Sequence, residues 1–199
     1  MIEALVVDLG GVVTRFHPER RLAALAALTG LPEATVEKRW FASGREREAE
    51  LGEHSTGTIA GAIQAALGTE VAAEDLVAAW SLAFEPDPTA LALLASVPLP
   101  RALFTNNGPM VDLCLAGPLR EIRAVFNPVI TSWRIGARKP APEAFERAGA
   151  LLGTAPAQIL FLDDSAVNIR AARRHGWQSA LTPTSVSVRE ALMEAGLLA

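Results

Sequence analysis

Six residues in this chain have the types and spacing to do chemistry. Asp8 ends the apolar run of "ALVVDLGG", Thr105 and Asn106 follow "RALF", Lys139 lies in "GARKPAPEAF", and Asp163 and Asp164 close "QILFLDDS". Gly10 and Gly11 come directly after the first acid and its leucine. Taken singly each has a plain explanation: a turn acid, a strand-end hydroxyl, a solvated lysine, a pair of helix-entry acids. Taken together, the order acid, hydroxyl, lysine, paired acids, each where an apolar run stops, is far more specific. Gathered in space, these groups would offer carboxylate oxygens to a hard cation, a hydroxyl donor to an anion and an ammonium to cancel charge.

The elements that must position them are legible as alternation. Short apolar runs at "ALVVDL", "RALFTN", "PVITSW", "QILFLDD" and "QSALTP" read as strands, each followed by a helical stretch. That pattern predicts an α/β fold, a Rossmann-like parallel sheet whose strand ends face one rim, where ligands of open sheets bind. Helix signals agree: Pro142 opens one helix, Ser165 is placed to cap another that stops at Gly176, and Ser187 with Glu190 predicts a capping box for the last.

One interval breaks the alternation. Nearly half the chain separates Asp8 from Thr105, far more than a crossover helix needs. Within it lie four helical stretches, "ERRLAALAALTG", "EATVEKRWFASGREREAEL", "TGTIAGAIQAALG" and "AEDLVAAWSLAF", and no strand pattern. The reading is a small helical cap domain at 16–86, with Trp40 and Trp80 in its core, inserted into a core domain of 1–15 and 87–199.

Composition narrows the partners. In 199 residues with 50% hydrophobic content and a net charge of -4, mixed in sign, there is no basic footprint for nucleic acid and no polybasic membrane anchor. The apolar run at the N-terminus is too short to span a membrane or serve as a secretory core. The expectation is a cytoplasmic protein with small-molecule partners. Its oligomeric state stays open, an apolar face on the insert permitting a homodimer. The one cysteine, Cys114 in "VDLCLAG", reads as a buried structural thiol.

The motifs as they stand, "VVDLGG", "LFTNN", "RKPAPEAF" and "FLDDS", resemble those of the haloacid dehalogenase-like hydrolase superfamily over nearly the whole chain. The resemblance implies that Asp8 is the nucleophile and Thr105 binds the transferred phosphoryl group. It also implies that Lys139 is the motif lysine and that Asp163 and Asp164 form the acidic metal motif. "ELGEHSTGTI" is similar to a cap segment of its sugar-phosphate phosphatase branch. The implied activity is Mg²⁺-dependent hydrolysis of a small phosphorylated metabolite, a sugar phosphate favoured, through an aspartyl-phosphate. The chemistry is coherent: a carboxylate can approach a phosphate dianion only when opposing charge is cancelled. Mg²⁺ held by Asp8, the Gly10 carbonyl, Asp163 and Asp164 would do so, with Lys139 adding charge and Thr105 with the N–H groups around Asn106 holding equatorial oxygens. Pro140 and Pro142 restrict the backbone from which Lys139 emerges.

The chain departs from the family pattern at Gly10, where the usual second aspartate supplies an acid and then a base. An Asp-x-Gly first motif resembles a glucose-1-phosphate phosphatase-like branch, whose anomeric leaving oxygen needs less protonation. The alternatives are a catalytically weak binding or regulatory protein and a 2-haloacid dehalogenase, in which halide leaves without a proton. Candidates for a replacement acid in the insert are Glu48, Glu53, His17 and His54, and for an anion contact Arg45 or Arg47. His175 reads as an ordinary helix-end residue.

Overall fold

The computed structural model describes residues 1–198. Its main sheet holds the five expected strands, all parallel: β1 (Ala4–Val7), β4 (Arg101–Thr105), β5 (Val129–Thr131), β6 (Ile159–Asp163) and β7 (Gln178–Leu181), in the spatial order β5-β4-β1-β6-β7. The two remaining strands, β2 (Thr14–Phe16) and β3 (Phe84–Pro86), form a separate antiparallel ribbon. The helices are α1 (Pro18–Thr29), α2 (Glu33–Val36), α3 (Arg45–Glu50), α4 (Ile59–Leu67), α5 (Ala73–Ser81), α6 (Pro88–Ser96), α7 (Pro109–Ala116), α8 (Arg120–Val125), α9 (Ser132–Ile135), α10 (Pro142–Leu152), α11 (Ala166–Arg174) and α12 (Ser185–Glu194).

The central strands are buried on both sides, which is why they read as continuous apolar runs rather than alternating ones. Alternation instead divides their side chains between two cores. Leu5, Val7, Leu103, Leu160 and Leu162 pack into one that runs on into the helical insert. Val6, Phe104 and Phe161 face the other, where Phe104, Phe145, Phe161 and Trp177 are stacked edge-to-face or tilted with centroids 5.4 to 6.3 Å apart. In the insert, Trp40 and Trp80 are core residues in edge-to-face contact at 6.4 Å.

Three expectations are corrected. The first concerns the junctions of the insert, which do contain strand: Thr14↔Pro86 and Phe16↔Phe84 pair across the whole insertion, in segments too short to show a period and too distant to pair by inspection. The second is the long helix expected over "EATVEKRWFASGREREAEL". It is α2, a π-helical turn Glu37–Phe41 and α3, interrupted at Gly44, whose φ of 90° lies in the left-handed region. The third is the last capping box, which uses Thr184 and Ser187 rather than Ser187 and Glu190, because the helix begins at Ser185 and Ser187 is its third residue. Pro142 does stand in the first turn of α10. Ser165 occupies the N-cap of α11 without a side-chain cap bond, its N–H donating instead to Asp163 Oδ1 at 2.8 Å.

Candidate active site

β1 lies between β4 and β6, and the chain runs outward from it in both directions, so the carboxyl ends of these three strands frame the point where strand order reverses. Register brings their ends level: Val7 is opposite Leu103 and Leu162, and Asp8 N–H donates to the Leu162 carbonyl at 2.9 Å. Asp8, Thr105 and Asp163 therefore emerge at one rim.

Lys139 ties the rim together. Its Nζ donates to Asp8 Oδ1 at 2.8 Å, to Asp163 Oδ2 at 2.7 Å and to the Phe104 carbonyl at 2.7 Å, with its side chain 1% exposed. All three ammonium protons are thus accounted for. Burial alone would lower the lysine pKa, but the two carboxylates outweigh it and the net direction is upward, so the group stays an ammonium. Asp8 is pushed up to about 6, chiefly by burial and with Asp163 adding, against the opposing pull of Lys139.

Asparagines hold this arrangement in place. Asn106 clasps the main chain of Lys139 by two bonds, Nδ2 to the Lys139 carbonyl at 2.8 Å and Lys139 N–H to Oδ1 at 2.9 Å. Its side chain is therefore committed to orienting the lysine. Asn107 Nδ2 donates to Thr105 Oγ1 at 2.7 Å. Asn168, one turn into α11, donates to both Asp163 oxygens at 3.0 and 3.1 Å.

Carboxylate oxygens of Asp8, Asp163 and Asp164 lie within 4.8 Å of one another, a donor set that fits a hard divalent cation. The three are not equivalent. Asp163 is fully buried, and its oxygens are taken by Lys139, Ser165 and Asn168. Asp164 is exposed as a residue, but partial desolvation of its carboxyl together with the charge of Asp163 raises its pKa, a cost that a cation would relieve. Gly11 makes room for it: at φ 82°, a Cβ there would stand 2.1 Å from Asp164 Oδ2. Gly10 differs, with a φ outside the left-handed region and only ordinary contact, at 3.7 Å, between a Cβ and Phe16.

Above the rim is a cavity of about 470 Å³ lined by Asp8, Gly10, Thr105, Lys139, Asp164 and Asn168 below. The insert closes it with Arg21, Glu37, Glu46 and Glu50. None of the replacement acids or arginines expected from the sequence lines it. Glu48 and Glu53 are exposed, His17 pairs with Glu19 at 3.0 Å, His54 lies outside the lining, and Arg45 and Arg47 point to the exposed side of α3. The inward face of that helix is Glu46 and Glu50, one turn apart. Glu50 pairs with Arg138 at 2.7 Å, yet burial still raises its carboxyl to about 7, with Glu46 adding to the rise. Asn107, Asn168, Arg21, Glu46 and Glu50 escape a reading of strand ends because their places depend on helix orientation, although Asn168 could have been found as the amide one turn beyond the paired acids. His175 is the C-cap of α11, and Cys114 is buried with its thiol pushed up to about 12 by desolvation.

A parallel sheet with a charged rim and an acidic cation-sized cluster beneath a helical insert define an enzyme fold of the α/β type. More particularly, the chain belongs to the haloacid dehalogenase-like hydrolase family, whose pattern matches residues 2–176. It is 29% identical to a Mycobacterium tuberculosis protein named Phosphatase MT3486, over 96% of this chain and 92% of that one. With a D-ribitol-5-phosphate phosphatase of Bacteroides thetaiotaomicron it shares 25% identity over 90% and 91% of the two chains. Among solved structures, a haloacid dehalogenase family enzyme from Bacteroides thetaiotaomicron, crystallised as a variant with magnesium and inorganic phosphate, superposes with a TM-score of 0.76 over 93% of this chain and 95% of that one at 21% identity. An L-2-haloacid dehalogenase from Xanthobacter autotrophicus superposes with a TM-score of 0.59 over 100% and 85% at 21% identity. No helix among the described residues is long and apolar enough to cross a membrane.

Proposed function

We infer that this hydrolase is a Mg²⁺-dependent phosphatase of small phosphomonoesters, with sugar phosphates favoured, and that residues 16–86 serve as its cap. The observation that carries this reading is Lys139, locked between Asp8 and Asp163 beneath a cavity that Thr105 and Asp164 also line. The names of the two curated phosphatase relatives support it.

In this reading Asp8, Asp164 and the Gly10 carbonyl, with Asp163 behind them, would hold Mg²⁺, which would supply charge to offset that of the phosphoryl group. The free Asp8 oxygen forms a bond to phosphorus as the ester P–O bond breaks, and the departing oxygen takes a proton from solvent. Water then attacks the aspartyl-phosphate, releasing phosphate and restoring the Asp8 carboxylate. Lys139 keeps Asp8 oriented and partly neutralised without giving up a proton. Thr105, whose hydroxyl already accepts from Asn107, is free to donate to a phosphoryl oxygen. Gly10 provides no side-chain acid, which favours substrates whose leaving oxygen is acidic, such as an anomeric one.

Phosphate release from a metabolite panel, with and without Mg²⁺, tests the reading. Activity should require Mg²⁺ and vanish in Asp8→Asn with the circular dichroism spectrum unchanged. Full activity in that variant, or Mg²⁺-independent release of chloride from 2-chloropropionate, would refute it.

A further inference from the structure

Arg21 takes no part in the chemistry just described, yet its setting is costly. The residue is 5% exposed, its guanidinium carbon lies 4.5 Å from the ring centroids of both Phe41 and Trp80, and Nη1 is 2.9 Å from Glu46 Oε1. Its Nε is buried and has no hydrogen-bond partner among the described residues. A buried N–H left open in native structure calls for an acceptor. Both Arg21 and Glu46 line the cavity that contains Asp8.

The charge of this wall restricts what the acceptor can be. Arg21 is committed to Glu46 and Arg138 to Glu50, and Glu37 adds a third carboxylate to the lining. A second phosphate or a carboxylate on the substrate would find both guanidiniums already paired and the carboxylate of Glu37 beside them. Neutral hydroxyls face no such barrier. They can accept from Arg21 and donate to Glu46, while Phe16 and Phe41 give the carbon skeleton an apolar face.

The geometry points to the Arg21–Glu46 pair as the specificity-determining element of this site, reading the hydroxyls of a polyhydroxylated monophosphate and excluding substrates that carry a second anionic group. This rests on the phosphatase reading above and says which phosphomonoesters it applies to.

The test compares kcat/KM for ribitol 5-phosphate and glucose 1-phosphate with that for phosphoglycolate and fructose 1,6-bisphosphate, with p-nitrophenyl phosphate as an activated substrate lacking hydroxyls. Wild type should favour the better hydroxylated monophosphate over phosphoglycolate by about 10-fold or more, and Glu46→Gln should shrink that ratio by about 10-fold. A merely structural Glu46 would lower every rate alike, and that result, or a wild-type preference for phosphoglycolate or the bisphosphate, overturns the inference. Should no substrate, p-nitrophenyl phosphate included, release phosphate, the phosphatase reading fails and binding decides this one. Calorimetry on folded Asp8→Asn protein with Mg²⁺ should then give ribitol 5-phosphate about 10-fold tighter than phosphoglycolate. Equal affinity, or none for either, would overturn it.

Discussion

Position 10 separates two consequences of one small residue. Gly11 must remain glycine, because its φ of 82° and the nearby Asp164 carboxylate exclude a Cβ. Gly10 is under no such demand: its backbone suits an L-residue, and a Cβ would rest against Phe16 at 3.7 Å. Lack of space for a Cβ therefore does not account for the missing side chain. Gly10→Asp should fold normally and place a carboxyl at the cavity that contains Asp8. If leaving-group protonation limits turnover, kcat on an alkyl phosphate should rise about 10- to 100-fold, toward the usual worth of a positioned acid. The gain should be smaller on p-nitrophenyl phosphate, whose leaving group needs no proton. Equal kcat values in variant and parent on the alkyl phosphate would mean that protonation is not limiting.

At the scale of elements, the strands were readable and the attitude of the insert was not. Asp8, Thr105 and Asp163 could be placed because a parallel sheet has only one carboxyl rim, so a strand's end fixes its residue's location, whereas Lys139 follows α9 and reaches the rim through the Asn106 clasp on its main chain. Glu46 and Glu50 could not, since "REREAE" is polar but for one alanine, too little apolar pattern to say which charges turn inward. What decides it is docking. Ala49, the buried residue of α3, packs where a Cβ on Gly108 would lie 3.3 Å away, and Gly52 runs beside the Trp133 carbonyl. The insert thus rests directly on the segments that follow β4 and β5. At Gly52 a Cβ would come within 2.9 Å of that carbonyl oxygen at a φ of 101°. Gly52→Ala should therefore cost about 1 to 3 kcal/mol, read as a lower midpoint in urea, through backbone strain and loosened docking. Substrate KM should rise more than kcat falls, because the wall carried by α3 is displaced while the rim is not.

The whole molecule carries a pH dependence that follows from where this docking buries charge. Glu50 lies at the seam between insert and core, paired with Arg138 from the segment that delivers Lys139. Its carboxyl ionises near the ordinary 4.5 in the unfolded chain and at about 7 in the folded one. Below pH 4.5 it is protonated in both states and contributes no penalty. Between pH 4.5 and 7 the folded protein keeps a proton that the unfolded chain has released, so stability falls by about 3 kcal/mol across that window and the loss is complete above 7. Asp8, raised from 3.8 to about 6, acts with the same sign but completes its loss at lower pH, and a bound divalent cation would suppress it. The two can therefore be told apart by window and by metal. Glu50→Gln keeps the size and an acceptor for Arg138 while removing the titration. In thermal melts without Mg²⁺ it should unfold at a higher temperature than wild type at pH 8 and at the same temperature at pH 4.5, the curves separating mainly between pH 5 and 7.5. The part of the slope below pH 6 should persist in the variant and flatten when Mg²⁺ is added. A variant less stable than wild type at pH 8 would mean that the ionised pair with Arg138 holds the insert on the core more strongly than burial of its carboxylate opposes it.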